Sequence, residues 1–158
     1  MVGVDYSEQA VKLCKRVDLT KDMSGGGNDE TGAEIDRNNR RKGIEFETWD
    51  MMRDKPLSGW GEGFDVVLDK GTFDAVSLSA ETDVEGKRIH EGYREKVESL
   101  AKKGGLVLVT SCNWTEEELK GWFEGGQLQA VGRVEYRVFS FGGQNGQSVC
   151  SVCFRRKS

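Results

Sequence analysis

Three aspartates and one short polar run stand where chemistry is most easily placed. Val2-Gly3-Val4-Asp5, Ile44-Glu45-Phe46-Glu47-Thr48-Trp49-Asp50 and Phe64-Asp65-Val66-Val67-Leu68-Asp69 are apolar or alternating runs that each stop at an aspartate. Leu106-Val107-Leu108-Val109-Thr110 runs instead into Ser111-Cys112-Asn113-Trp114. In an open parallel sheet, ligands collect at the carboxyl ends of the strands, which is where all four polar positions fall. An acid such as Asp5, at the end of a strand that turns into a helix, can accept both hydroxyls of a ribose. It can equally do no more than help Ser7 start that helix. Asp50, between Trp49 and Met51, offers an acceptor for the exocyclic amine of adenine and apolar neighbours for the ring faces; the alternative is a buried tryptophan and a turn acid. Two such acids on successive strand ends together point to a bound adenosine.

The elements that must position these residues can be read from periodicity. Ser7 has the character of an N-cap for a helix with Ala10, Val11, Leu13, Cys14 and Val17 on its apolar side. From Thr20 to Lys42 the chain is polar and glycine-rich, and residues 20–42 are expected to form an inserted, disordered surface loop. Ile89, Tyr93, Val97 and Leu100 recur at helical spacing, closed by Lys102-Lys103-Gly104-Gly105. Tyr93 is expected in the core of that helix and His90 on its surface. Thr115 and Glu118 make a capping-box pattern ahead of Leu119, Trp122 and Phe123. Val134–Phe139 and Val149–Phe154 read as strands joined by the turn-rich Gly142-Gly143-Gln144-Asn145-Gly146, and should pair antiparallel. The order is β-α-β-α-β-α-β-α-β-β. It predicts an α/β, Rossmann-like, doubly wound and mostly parallel sheet that ends in an antiparallel hairpin.

Composition narrows the function classes. The 158 residues are 36% hydrophobic, enough for one domain with a core, and 21 glycines against a single proline, Pro56, make it loop-rich. A net charge of -4 from 23 basic and 27 acidic residues, without a basic stripe, argues against nucleic acid as a partner. No apolar stretch approaches the roughly 18 residues of a membrane span, and the first residues lack a signal-peptide pattern, which predicts a cytoplasmic chain with no membrane partner. Cys14, Cys112, Cys150 and Cys153 are too scattered for a disulfide framework. The last two have C-x-x-C spacing but lie in an alternating strand, where a three-residue offset sends them to opposite faces. With His90 as the sole histidine, no metal site is expected.

Several short motifs carry a resemblance. Gly3-Val4-Asp5-Tyr6-Ser7 after one strand, Asp69-Lys70-Gly71-Thr72-Phe73-Asp74-Ala75 after another, the Lys103-Gly104-Gly105 turn, Thr110-Ser111-Cys112-Asn113-Trp114-Thr115, and Phe139-Ser140-Phe141-Gly142-Gly143 together cover most of the chain. On these the sequence resembles the seven-strand (class I) S-adenosylmethionine-dependent methyltransferases, and within them the protein-lysine methyltransferases that modify translation elongation factor 1-alpha. The resemblance implies S-adenosylmethionine as cofactor, a protein substrate and a monomeric enzyme. Asp5, Tyr6, Trp49, Asp50 and Met51 would hold the cofactor. It further implies that Asp69 orients the lysine amine or touches the cofactor, that Phe73 lines the lysine channel, and that Asn113 and Trp114 form the opposite wall.

In this family the first strand carries a glycine-rich turn about 20 residues before the ribose acid. Asp5 is the fifth residue, so the expectation is a single methyltransferase domain over 1–158 that is incomplete, lacking the first strand and its loop, and that binds S-adenosylmethionine poorly as it stands. Two rivals accompany this reading: a nicotinamide-dependent dehydrogenase, which Asp5 would suit equally, and a degenerate methyltransferase-like domain kept as a non-catalytic binding partner.

Overall fold

The computed structural model describes residues 1–24, 44–136, 139–141, 144–146 and 149–158. They divide into two compact units, Met1–Asp54 and Lys55–Ser158. In the first, β1 (Val2–Asp5) leads into α1 (Glu8–Ser24), and β2 (Glu45–Thr48) lies parallel to β1 with Val2 opposite Glu45 and Asp5 opposite Thr48. The helix runs on through Ser24, so the first residues of the expected 20–42 insert are helical. The rest of that insert lies outside the described residues.

The second unit is built on β3 (Phe64–Lys70), β4 (Ala101–Ser111), β5 (Leu128–Arg133) and, at the end of the chain, β8 (Cys150–Arg156). Their order is β3-β4-β8-β5, with β3 and β4 parallel and β8 antiparallel to both of its neighbours. Between them come α2 (Thr72–Leu78), a 3-10 turn at Ile89–Gly92 continuing into α3 (Tyr93–Leu100), and α4 (Glu116–Phe123). A short antiparallel hairpin of β6 (Phe139–Phe141) and β7 (Gln144–Gly146) interrupts the approach to β8.

Alternation along the strands decides where the core sits. Val107 and Val109 of β4 and Val152 and Phe154 of β8 are fully buried and share one face, against Phe73, Tyr93, Leu119 and Phe123 of the helices. The other face carries Leu106 and Leu108 opposite Val66 and Leu68, and the last two are 51% and 69% exposed.

Three local expectations are corrected. The alternation places a helix between the second and third strands, but a 3-10 turn at Ser58–Trp60 stands there, just past Pro56. The Gly104-Gly105 turn does not separate helix from strand: β4 starts at Ala101, directly after α3, and the glycines sit within it. Gly104 takes φ +76, and the register jumps from Phe64↔Ala101 to Val66↔Leu106. On the side where Val134–Phe139 was expected, β8 pairs antiparallel with Leu128–Arg133; the Val134 N–H still meets Ser151 O at 3.0 Å, and residues 137–138 of the expected strand lie outside the described residues. One glycine is fixed by contact. Gly63 has φ +103, and a Cβ there would lie 2.6 Å from the Leu100 carbonyl oxygen.

Candidate active site

In the first unit the ends of β1 and β2 bring the expected acids to the same edge of a parallel pair. Asp5 faces Thr48, and the Trp49 N–H donates to the Asp5 carbonyl at 3.0 Å, so Asp50 lies two residues past the last paired position. Asp5 Oδ1 accepts the Ser7 N–H at 2.7 Å, and Ser7 Oγ accepts the Ala10 N–H at 3.3 Å. The helix-starting role thus takes one carboxylate oxygen. The other makes no hydrogen bond among the described residues. Asp50 is more heavily engaged: Oδ1 accepts from the Met52 and Arg53 amides at 2.9 and 3.2 Å, and Oδ2 lies 3.7 Å from Arg53 Nη1. Tyr6 is 74% exposed, Met51 half-buried and Trp49 buried.

In the second unit Asp69, the last acid of β3, is only 6% exposed and its carboxylate is fully used. It accepts from the Thr72 N–H at 2.9 Å, from the Phe73 N–H at 3.3 and 3.4 Å, and from the Tyr93 hydroxyl at 2.8 Å. Burial pushes this carboxyl above the usual carboxylate range, and the Tyr93 hydroxyl and the two amides oppose that shift. Tyr93 is raised in turn by its own burial and by the Asp69 charge.

Asp74, one turn into α2, reaches across to the end of β4. It accepts from Ser111 Oγ and from the Cys112 N–H at 2.8 Å. Ser111 Oγ accepts the Asn113 and Trp114 amides at 3.0 and 2.9 Å, and Trp114 Nε1 donates to Ser77 Oγ at 3.1 Å. The loop bearing Asn113 and Trp114 is therefore tied to α2 at several points. Around it Phe73, 1% exposed, contacts the rings of Tyr93, Trp114, Trp122 and Phe123 at 5.1 to 5.9 Å. Asp69, Phe73 and Trp114 are thus brought together. Asn113 is exposed beside them.

Across the whole of this chain, related sequences point one way. The chain is 36% identical to the protein-lysine N-methyltransferase EFM4 of Saccharomyces cerevisiae, with 100% of this chain and 60% of that protein aligned. It is 31% identical to EEF1A lysine methyltransferase 2 of Homo sapiens, with 99% of this chain and 56% of that protein aligned. The chain spans less than two thirds of the length of either. No family model matches. Among solved structures, the N-methyltransferase NodS from Bradyrhizobium japonicum in complex with S-adenosyl-L-homocysteine aligns with 99% of this chain and 66% of its own, at TM-score 0.57 and 14% identity. A S-adenosylmethionine-dependent methyltransferase from Clostridium acetobutylicum aligns over 99% and 75%, at TM-score 0.62 and 9% identity. The fold is that of the class I methyltransferases. The motif resemblance and these homologues converge on the same lysine methyltransferases.

Within this methyltransferase fold, sequence reasoning missed several residues of the strand-end network. Tyr93 was assigned to the core alone, and its hydroxyl is the side-chain partner of Asp69. Asp74, Ser77 and Ser111 lie inside or beside the quoted motifs, but nothing in their spacing announces a bond across 37 residues. His90 was expected on a helix surface; it is half-buried in the 3-10 turn, its ring edge-on to Trp122 at 5.1 Å. Among the described residues no three His, Cys, Asp or Glu side chains gather as a metal site, and no helix is long and apolar enough to cross a membrane.

Proposed function

We propose that this protein transfers a methyl group from S-adenosylmethionine to a lysine of translation elongation factor 1-alpha, both units belonging to one methyltransferase domain. The observation that carries the reading is that this whole chain aligns with a protein-lysine N-methyltransferase and with an EEF1A lysine methyltransferase. The strand-end acids of the first unit support it. Asp5 has a carboxylate oxygen unspent and is only partly buried, which fits the vicinal hydroxyls of a ribose. Asp50 and Met51 fit the adenine edge and face, Tyr6 has its ring exposed beside Asp5, and Trp49 underlies them as packing.

S-adenosylmethionine supplies a sulfonium-bound methyl group. When bound it would serve in-line transfer to a lysine amine, with the carbon–sulfur bonding pair left on sulfur and a proton released from the nitrogen to solvent. With a reference pKa of about 10.4, the amine is disfavoured as a free base near pH 7 by roughly 4 to 5 kcal/mol. A dry aromatic wall lowers that cost by disfavouring the cation. Trp114 supplies the aromatic face of such a wall, Phe73 supports it from behind, and the exposed Asn113 stands beside it as a polar group at the rim. Asp69, saturated by its own amides and Tyr93, acts as a positioning residue for the turn that carries Phe73. A cytoplasmic setting, a monomeric state and no nucleic-acid partner belong to the same reading.

The test is to incubate the protein with elongation factor 1-alpha and methyl-labelled S-adenosylmethionine. Label on a single lysine, lost with Asp5→Ala, is expected. A folded protein that binds both partners yet transfers no label would overturn the catalytic reading in favour of a non-catalytic binding domain.

A further inference from the structure

A cavity of about 400 Å³ opens between the 3-10 turn at Ile89–Gly92 and α4, entirely within the second unit. Its walls are the rings of Phe73 and Trp122. His90 Nδ1 is buried there with no hydrogen-bond partner among the described residues, a state that costs free energy unless something fills it. Glu91 stands exposed at the rim. Its Oε1 accepts the Arg88 N–H at 3.3 Å, and no cation pairs with it among the described residues. The neighbouring Arg94 also lines the cavity, and its Nη atoms donate to the Glu124 carbonyl at 3.1 Å and to Glu95 at 2.9 Å. Among the described residues its Nε, 3.8 Å from Glu98, is buried without a hydrogen-bond partner, and Glu91 is left as the carboxylate without a cation, since Glu95 and Glu98 balance the Arg94 charge.

Gly121 is the second, independent observation. It interrupts α4, where glycine costs roughly 1 kcal/mol relative to alanine. A Cβ at this position would meet nothing within 4 Å, so packing does not demand the glycine. What its missing side chain leaves open is part of the cavity wall.

We propose that this cavity is a docking pocket for a lysine or arginine side chain of the protein substrate, distinct from the lysine that is methylated. The alkyl shaft lies along Phe73 and Trp122, the cationic end meets the Trp122 face and the Glu91 carboxylate, and one N–H reaches the unpartnered His90 Nδ1. The pocket rests on the proposed function only for the identity of the substrate.

Gly121→Leu fills the open side of the pocket on the outside of a helix, and Glu91→Gln keeps the acceptor for Arg88 while removing the charge. In methylation assays with elongation factor 1-alpha, each variant should raise KM for the protein substrate roughly ten-fold, the effect of losing about 1.4 kcal/mol. The kcat at saturation, the affinity for S-adenosylmethionine and the thermal midpoint should stay unchanged or, for Gly121→Leu, rise slightly in midpoint. Direct titration of the factor against the protein's tryptophan fluorescence reads binding without turnover. Weaker binding in both variants supports the pocket even if no methyl is transferred, in which case only the catalytic reading fails. Unchanged KM and unchanged binding in Gly121→Leu overturn the pocket and leave the catalytic reading standing.

Discussion

Asp5 and Asp69 sit in equivalent places, at the carboxyl ends of parallel strands, and are used in opposite ways, Asp69 together with Asp74 of the helix that follows it. Asp5 spends one oxygen on an amide two residues away and keeps the other free. Asp69 and Asp74 spend everything on partners that include residues 24 to 38 positions away, and both are buried. A carboxylate with local bonds and an open oxygen can take a ligand at little structural cost. One that closes long-range loops in the interior is frame, and its loss is felt by the fold before it is felt by a substrate.

This contrast fails if the wrong acid proves to be the structural one. Asp74→Ala has the largest expected effect: it strands Ser111 Oγ and the Cys112 N–H in the interior, at a cost of about 3 kcal/mol in urea unfolding, with Trp114 emission shifted red. Asp5→Ala should weaken S-adenosylmethionine roughly 30-fold in calorimetry, about 2 kcal/mol, while moving the unfolding midpoint far less than Asp74→Ala. Equal losses of stability in the two variants would dissolve the distinction. Tyr93→Phe removes one donor from Asp69 and should cost about 1 to 2 kcal/mol, while raising the Asp69 carboxyl further.

The smallest effect is a pH dependence with a definite sign. Because the folded Asp69 carboxyl titrates above its ordinary value of 3.8, the folded state holds that proton more tightly than the unfolded state. Its contribution is fully present below 3.8 and is lost as pH rises through the raised folded value. Asp69→Asn should therefore cost most stability in acid and progressively less toward neutrality, read as the difference between paired urea titrations across that window. A gap that widens with pH would mean that Asp69 is stabilised as the anion.

The sequence made β1 and β3 legible as strands because apolar runs ending in Asp5 and Asp69 have few other readings, but it did not show that Val4, Val66 and Leu68 would be exposed. It made α4 legible through its capping box, where Thr115 Oγ1 accepts the Glu118 N–H at 3.3 Å and Glu118 returns the bond to the Thr115 N–H at 2.8 Å. It hid β5, because Gly125, Gly126 and Gly132 around Leu128–Val131 look like turn chemistry, and the bulge at Ala130/Gly132 is tolerated only with β8 alongside. The Tyr93–Asp69 and Asp74–Ser111 bonds were invisible for a related reason. Local pattern reports propensity, and these bonds exist only once strands from distant positions have been laid side by side.

Gly63 gives that point a genetic form. With a left-handed backbone and the Leu100 carbonyl 2.6 Å from any Cβ, it sits where the start of β3 meets the passage from α3 to β4. In a pooled library of codon substitutions scored for intact protein, position 63 should return glycine alone, whereas Gly59, with open space around it, should accept most replacements. A missense change at codon 63 would thus be read in a genome as a null allele, although the residue carries no side chain and touches no candidate substrate.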